Sequence, residues 1–181
     1  MARRDLTGVL LVGGASTRFG SPKALARLDG ETLAARAWRI LGEACDERLA
    51  VGKRTDGLEL PFELLDDGTD VRAALAGIVA GLRNAPTEVA VVLPVDTPLV
   101  SPELLRALGA ACSDAAVTQS GPLPAAFAKT ALPLLERRLA EGRLALHEAV
   151  AELDTTCVDV DAGLLVNVNT PDDLSGLGRR V

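Results

Sequence analysis

Glu88-Val89-Ala90-Val91-Val92-Leu93-Pro94-Val95-Asp96 is the stretch that decides the fold class. Its apolar run, Val89 to Leu93, is unbroken. A strand wetted on one side alternates apolar and polar residues; a continuous run of this length is covered on both faces, as in a parallel sheet between two helical layers. Working outward, strand-like runs and helical periods alternate. Gly8-Val9-Leu10-Leu11-Val12-Gly13-Gly14 is a second short buried strand, running into glycines. Residues 48–52, 61–65, 115–119, 124–128 and 155–161 read as further strands. Residues 31–44, 71–85, 101–112, 131–142 and 145–153 read as helices, and 171–177 as a short closing helix behind Pro171.

Some helix starts are written in the sequence. Ser101-Pro102-Glu103 offers a capping hydroxyl, a proline suited to the first turn and an acid near the positive helix end. Glu31 or Thr32 opens the helix over 31–44. Gly77 and Gly81 inside the helix over 71–85 each cost roughly 1 kcal/mol against alanine, unless something packs closely there. Alternation of buried strands with helices predicts an α/β three-layer sandwich with a mostly parallel sheet. Ligands of such sheets bind beyond the carboxyl ends of strands, which directs attention to the loops after Val12 and after Leu93. Residues 66–72 are a mild candidate for a mobile segment.

Composition excludes several function classes. The 181 residues suit one domain spanning 1–181, and 48% hydrophobic content supports a sizeable core. Three Phe, one Trp and no Tyr leave that core aliphatic. A net charge of −6 with few stacking rings argues against general nucleic-acid binding. Cys45, Cys112 and Cys157 form no CxxC pair, and His147 is the single histidine, so a zinc knuckle or two-histidine metal site is not expected. The apolar run after Arg3 and Arg4 is too short for a signal peptide, and no stretch reaches bilayer-spanning length. A cytoplasmic protein is the expectation.

The first loop, from Val12 to Lys23, suits a polyphosphate. Gly13, Gly14 and Gly20 let the backbone turn tightly and bring N–H groups to an anion. Arg18 offers a planar donor fork and Lys23 a compact charge, in a chain with only three lysines. The pattern is neither a P-loop, since Gly20 is followed by Ser-Pro-Lys, nor a dinucleotide fingerprint, since the glycines are adjacent. An ordinary surface turn is the plain alternative. The strand before it, the basic pair within it and the helix after it favour the anion cradle.

Leu10-Leu11-Val12-Gly13-Gly14-Ala15-Ser16-Thr17-Arg18-Phe19-Gly20-Ser21-Pro22-Lys23 resembles the signature of the nucleotidyltransferases that make the dinucleotide form of the molybdenum cofactor. Their pattern is a strand, then L-A-G-G-x-S-x-R-M-G-x-D-K and a short Gly turn; Val12, Phe19 and Pro22 depart from it. Leu93-Pro94-Val95-Asp96-Thr97-Pro98 resembles their P-x-D-x-P. Asp70 followed by Leu75-Ala76-Gly77 resembles an acid before P-G-P-L-A-G, with the Pro-Gly-Pro lost. Asn167-Val168-Asn169-Thr170-Pro171 resembles their closing N-x-N-T-P, and Gln119 to Phe127 their second-substrate segment, with Gly121 intruding.

The resemblance implies a Rossmann-like sheet of the nucleotide-diphospho-sugar transferase type. It implies a reaction of GTP with the molybdenum cofactor (molybdopterin), with release of pyrophosphate. Arg18, Lys23 and Asp96 are the expected catalytic residues. Leu11, Val12, Gly13, Gly14, Lys23, Asp70 and Asp96 are expected to bind nucleotide, with Asp66 or Asp67 as alternatives to Asp70 at the base. Asp96 is the expected Mg²⁺ ligand, a carboxylate placed to hold the ion against phosphate oxygens. Asn167 and Asn169, on one face of an expected strand, would meet the second substrate. Molybdoenzymes or other cofactor-biosynthesis proteins are the expected protein partners. A cytidylyltransferase, another nucleotidyltransferase of this fold, and a non-catalytic nucleotide-binding module are the alternatives.

Overall fold

The computed structural model describes residues 4–13 and 22–177. Nine strands and six helices follow in chain order among them. They are β1 (Leu6–Leu11), β2 (Arg27–Leu28), β3 (Glu31–Thr32), α1 (Leu33–Ala44), β4 (Glu47–Gly52), β5 (Leu64–Asp66), α2 (Ala74–Asn84) and β6 (Val89–Pro94). Then come α3 (Pro102–Ala111), β7 (Ala115–Thr118), β8 (Gly121–Ala128), α4 (Leu132–Ala140), α5 (Leu146–Ala151), β9 (Thr155–Val158) and α6 (Pro171–Leu177).

The main sheet has seven strands in the order β5-β4-β1-β6-β8-β7-β9. β1 runs parallel to β4 and β6, β4 to β5, and β7 to β9. β8 alone is reversed, pairing antiparallel with both β6 and β7. The chain steps outward from β1 through β4 to β5, then returns through α2 to β6 on the other side of β1. That reversal leaves a crevice beyond the carboxyl ends of β1, β4 and β6, the place where open α/β sheets take ligands.

Two-sided burial shows in how each central strand divides its side chains. Leu6 and Leu10 of β1, and Val89, Val91 and Leu93 of β6, enter one core with α1 and α3. Val9 and Leu11, with Ala90 and Val92, enter the other with α2, α4 and α5. Gly77 and Gly81 are where α2 meets the sheet. A Cβ at Gly77 would stand 2.7 Å from Leu11 Cδ2, and one at Gly81 2.6 Å from Val9 Cγ1. The missing side chains let the helix lie directly on β1, which offsets their helix penalty.

The expected caps form. The Thr32 side chain accepts from Ala35 N, and Ser101 from Leu104 N. Three departures have local causes. The strand expected over 61–65 is reduced to β5, because Phe62 stacks on Trp38 with ring centroids 4.4 Å apart and Pro61 has no ladder donor. The helix expected from 71 begins at Ala74, because Val71 N donates to Thr69 Oγ1 and belongs to the preceding turn. The β2–β3 hairpin was not expected as strands. Asp29 and Gly30 turn it at φ 52° and 82°, the two positive angles of a tight hairpin turn.

Candidate active site

The loops that follow β1, β4, β5 and β6 each deliver one component of the crevice. After β1 comes Gly13, after β4 Lys53, after β5 Asp67 and after β6 Asp96. With the first residues of α2 and the start of β8, they line a cleft of about 450 Å³, within the usual range for a small-molecule site.

Asp96 sits on a turn held from three sides. Val95 N donates to Leu11 O, Thr97 Oγ1 to Pro94 O, and Val168 N to Asp96 O at 2.8 Å. Arg36 of α1 adds a bond from Nε to Pro98 O. The Asp96 carboxylate remains part-exposed. Lys23, opening a short 3-10 turn ahead of the hairpin, brings Nζ to 3.3 Å from Asp96 Oδ2 and 3.2 Å from Asn169 Oδ1. Three expected residues, distant in sequence by up to 146 positions, therefore meet at one point.

Asn167 lines the same cleft. It and Asn169 are exposed on either side of Val168, which is fully buried among Leu28, Leu33 and Leu177. The alternation expected of this segment holds, but the segment is not a strand: it joins neither sheet and is anchored through Val168 instead. Asp173 closes the start of α6 by accepting from Asn169 N and Thr170 N. These two backbone donors hold its carboxyl below the ordinary value.

Leu11 and Gly13 line the cleft, while Val12 lies beneath it, donating its N–H to Val51 O. Gly14 and Arg18 lie outside the described residues. Of the three acids, Asp67 lines the cleft; Asp70 is exposed and does not. Asp66 turns away, accepting from Arg54 N and Gly68 N, and those bonds lower its pKa. Within 66–72 these contacts are joined by the Lys53–Asp67 pair at 2.6 Å. Like Arg72, Lys53 is a charged cleft residue that sequence reasoning missed. Its signal was present, since it is one of three lysines and directly follows a buried strand. Gln119 is not in the cleft. Its amide clamps Val160 from both sides, while Ser120 to Leu123 form the wall. His147 is exposed on α5, away from the cleft. Cys45 and Cys112 are buried and Cys157 is exposed.

Among the described residues no group of three or more His, Cys, Asp or Glu is arranged to hold a metal. Asp96, a single part-exposed carboxylate at the cleft, still fits an ion such as Mg²⁺. Mg²⁺ keeps most of its waters and is commonly held by one or two carboxylates together with substrate phosphates. No helix among the described residues is long and apolar enough to cross a membrane.

Comparison with known proteins bears on the same residues. The model of the MobA-like NTP transferase domain matches residues 8–156. A probable molybdenum cofactor guanylyltransferase of Chloroflexus aggregans is 34% identical over 190 residues, covering 93% of this chain and 91% of the relative. The molybdenum cofactor guanylyltransferase of Pseudomonas putida is 34% identical, covering 92% and 94%. The crystal structure of molybdopterin-guanine dinucleotide biosynthesis protein A from Archaeoglobus fulgidus superposes with a TM-score of 0.82 at 27% identity, covering 96% of this chain and 97% of that one. A 2-C-methyl-D-erythritol 4-phosphate cytidylyltransferase from Thermus thermophilus shares the fold, with a TM-score of 0.72 at 21% identity, 96% of this chain and 98% of that one being covered. The matched span takes in all but the last of the cleft's segments, and the chain belongs to the MobA-like NTP transferase family.

Proposed function

We propose that the whole chain, 1–181, acts as one guanylyltransferase domain that joins GMP from GTP to the phosphate of molybdopterin and releases pyrophosphate. The observation that carries this reading is the meeting of Lys23, Asp96 and Asn169 at the lip of the cleft. The names of the near-full-length relatives supply the substrates. An oxygen of the pterin's terminal phosphate attacks the α-phosphorus of GTP. The bond from that phosphorus to the bridging β-oxygen breaks, and its electron pair leaves with pyrophosphate. The nucleophile is already ionised, so no general base is required; the exposed position of the sole histidine agrees with that.

Lys23 neutralises charge that accumulates on the α-phosphate and the leaving group, the kind of preorganised stabilisation that dominates phosphoryl transfer. Arg18 is assigned the same task. Mg²⁺, held by Asp96 and arriving with the triphosphate, would supply further charge neutralisation at the phosphate oxygens. Leu11 and Gly13 line the nucleotide side of the cleft with Val12 beneath them, and Gly14 is assigned to the nucleotide by its place in the sequence pattern. Asn167 and Asn169 face the second substrate. For the base we favour Asp67 over Asp70, because Asp67 lines the cleft. The cytoplasm is the setting this chemistry needs, with molybdoenzymes or cofactor-biosynthesis proteins as recipients of the product.

The test is direct. Purified protein with Mg²⁺, GTP and molybdopterin should release pyrophosphate and form the guanine dinucleotide. CTP in place of GTP should give little of either. Equal or faster turnover with CTP would make the protein a cytidylyltransferase; nucleotide binding with no pyrophosphate release from either would make it a binding module.

A further inference from the structure

The Asp96 turn is tied down mostly by backbone groups and by its own residues, but one tie is a side chain 62 positions away. Arg36, one turn into α1, donates from Nε to Pro98 O at 3.1 Å. Its Nη1 serves a second element, the β2–β3 hairpin, standing 3.8 Å from Asp29 Oδ2 and 4.0 Å from Glu31 Oε2. Pro98 lies two residues beyond Asp96, and β2 begins four residues beyond Lys23. Arg36 therefore braces the two segments whose side chains meet in the Lys23–Asp96 contact. Leu33, one turn earlier on the same side of α1, is buried with Leu28 of the hairpin and Val168, and Leu99 packs on that cluster. Apolar packing around Leu33 brings the segments together, and the guanidinium one turn later spaces them.

We infer that Arg36 is a positioning residue for Asp96, holding its carboxylate where it can share Mg²⁺ with the phosphates of the nucleotide. The inference rests on the proposed reading, in which Asp96 holds the metal, and extends it to the residue that sets that ligand in place. The turn transmits what happens at Pro98. The proline ring fixes its own φ, and Thr97 is 3% exposed with its hydroxyl bonded to Pro94 O. Little slack is left between the Pro98 carbonyl and the Asp96 backbone. A carboxylate that places an ion against phosphate tolerates about 0.5 Å of error. Without Arg36, Pro98 O loses a charge-assisted bond. A guanidinium can meet the turn and the hairpin together because its nitrogens diverge in one plane; an ammonium is a compact point charge. Arg39 also bonds Glu31, from Nε and Nη2. The hairpin thus keeps a tie to α1 when Arg36 is removed, and the loss falls on the Asp96 turn.

Calorimetric titration of GTP, once in EDTA and once in Mg²⁺, gives the factor by which the metal tightens the nucleotide. In Arg36→Leu, affinity in EDTA should stay within about twofold of wild type while that factor falls by about tenfold, the effect expected of a group that orients a metal ligand. Arg36→Lys should recover part of it. Asp96→Asn should lower the factor as well. Adding Arg36→Leu to Asp96→Asn should lower it no further, because the arginine acts through that carboxylate. Thermal melts identify the folded variants, and Arg36→Gln replaces Arg36→Leu should the latter not fold. An unchanged factor in the folded variant overturns the inference. So does an equal loss of affinity in EDTA and in Mg²⁺, the signature of a purely structural strut, and so does a full additional loss in the double variant. These results leave the guanylyltransferase reading standing as long as the wild type releases pyrophosphate from GTP. A wild-type factor near one overturns the inference and the metal assignment of Asp96 together. A wild type that releases no pyrophosphate overturns the guanylyltransferase reading itself.

Discussion

Replacing Lys23 by alanine separates a catalytic lysine from a structural one, because the geometry assigns different sizes to the two effects. Lys23 bridges Asp96 and Asn169 at 3.3 and 3.2 Å. The ion pair is only partly sheltered, with side chains 16% and 30% exposed. Pairs of this kind contribute about 0–1 kcal/mol to stability. For a chain of this length the melting temperature should therefore fall by less than about 4 °C. Binding is another matter. A lysine contact to a phosphate is a charge-assisted bond whose loss costs about 1.5–3 kcal/mol, or roughly 10- to 100-fold in affinity. The Asp96 carboxylate, no longer offset by its lysine, then faces the triphosphate and pushes the loss toward the upper end. Titration of GTP with Mg²⁺, pyrophosphate release and a thermal melt on the same preparation measure all three quantities. Native melting with unchanged affinity and rate would refute the assignment. A drop well beyond 4 °C with little change in affinity would make Lys23 a strut between Asp96 and the segment ahead of α6 instead.

Further outcomes follow from individual groups. Asp96→Asn should nearly abolish turnover while GTP still binds, since the amide keeps the shape but not the charge that would hold Mg²⁺; near-normal Mg²⁺-dependent pyrophosphate release would assign the metal elsewhere. Asp173 has a carboxyl held below the ordinary carboxylate value by the Asn169 and Thr170 amides. Its contribution is therefore complete above the unfolded value and is lost as pH falls through the folded one. The melting-temperature gap between wild type and Asp173→Asn should be constant near neutrality and close in acid below about pH 4; a gap that widens in acid would contradict the capping role. Burial pushes the Cys112 thiol up to about 11, and Cys45 is also buried, so iodoacetamide at mild alkaline pH should modify exposed Cys157 first. Mass spectrometry showing Cys112 alkylated as fast would disprove its burial.

Sequence legibility divides along the line between local and convergent information. β6 was readable because both its faces are covered, so every position carries the same apolar demand. The starts of α1 and α3 were readable because a cap is a contact within four residues. Gly77 and Gly81 were readable only as a question, since their answer, Leu11 and Val9 beneath them, comes from another element. The site shows the same division. Lys23, Asp96 and Asn169 each follow or precede a recognisable strand or cap, and a family pattern linked them before any distance was known. Lys53 had a position as suggestive as that of Asp96, one residue beyond a central strand, but belonged to no quoted pattern. Asp70 was preferred over Asp67 because it stands nearer Leu75-Ala76-Gly77 in the chain. What decides between them is the turn over 66–69: Asp66 uses its carboxylate to close that turn on Gly68 and Arg54, which leaves Asp67 facing Lys53 across the end of β4 and carries Asp70 out to solvent. Three acids within five residues thus receive three different environments from a few hydrogen bonds. Composition is blind to that difference, which is why the residue proposed for the base passes from Asp70 to Asp67 once the turn is seen.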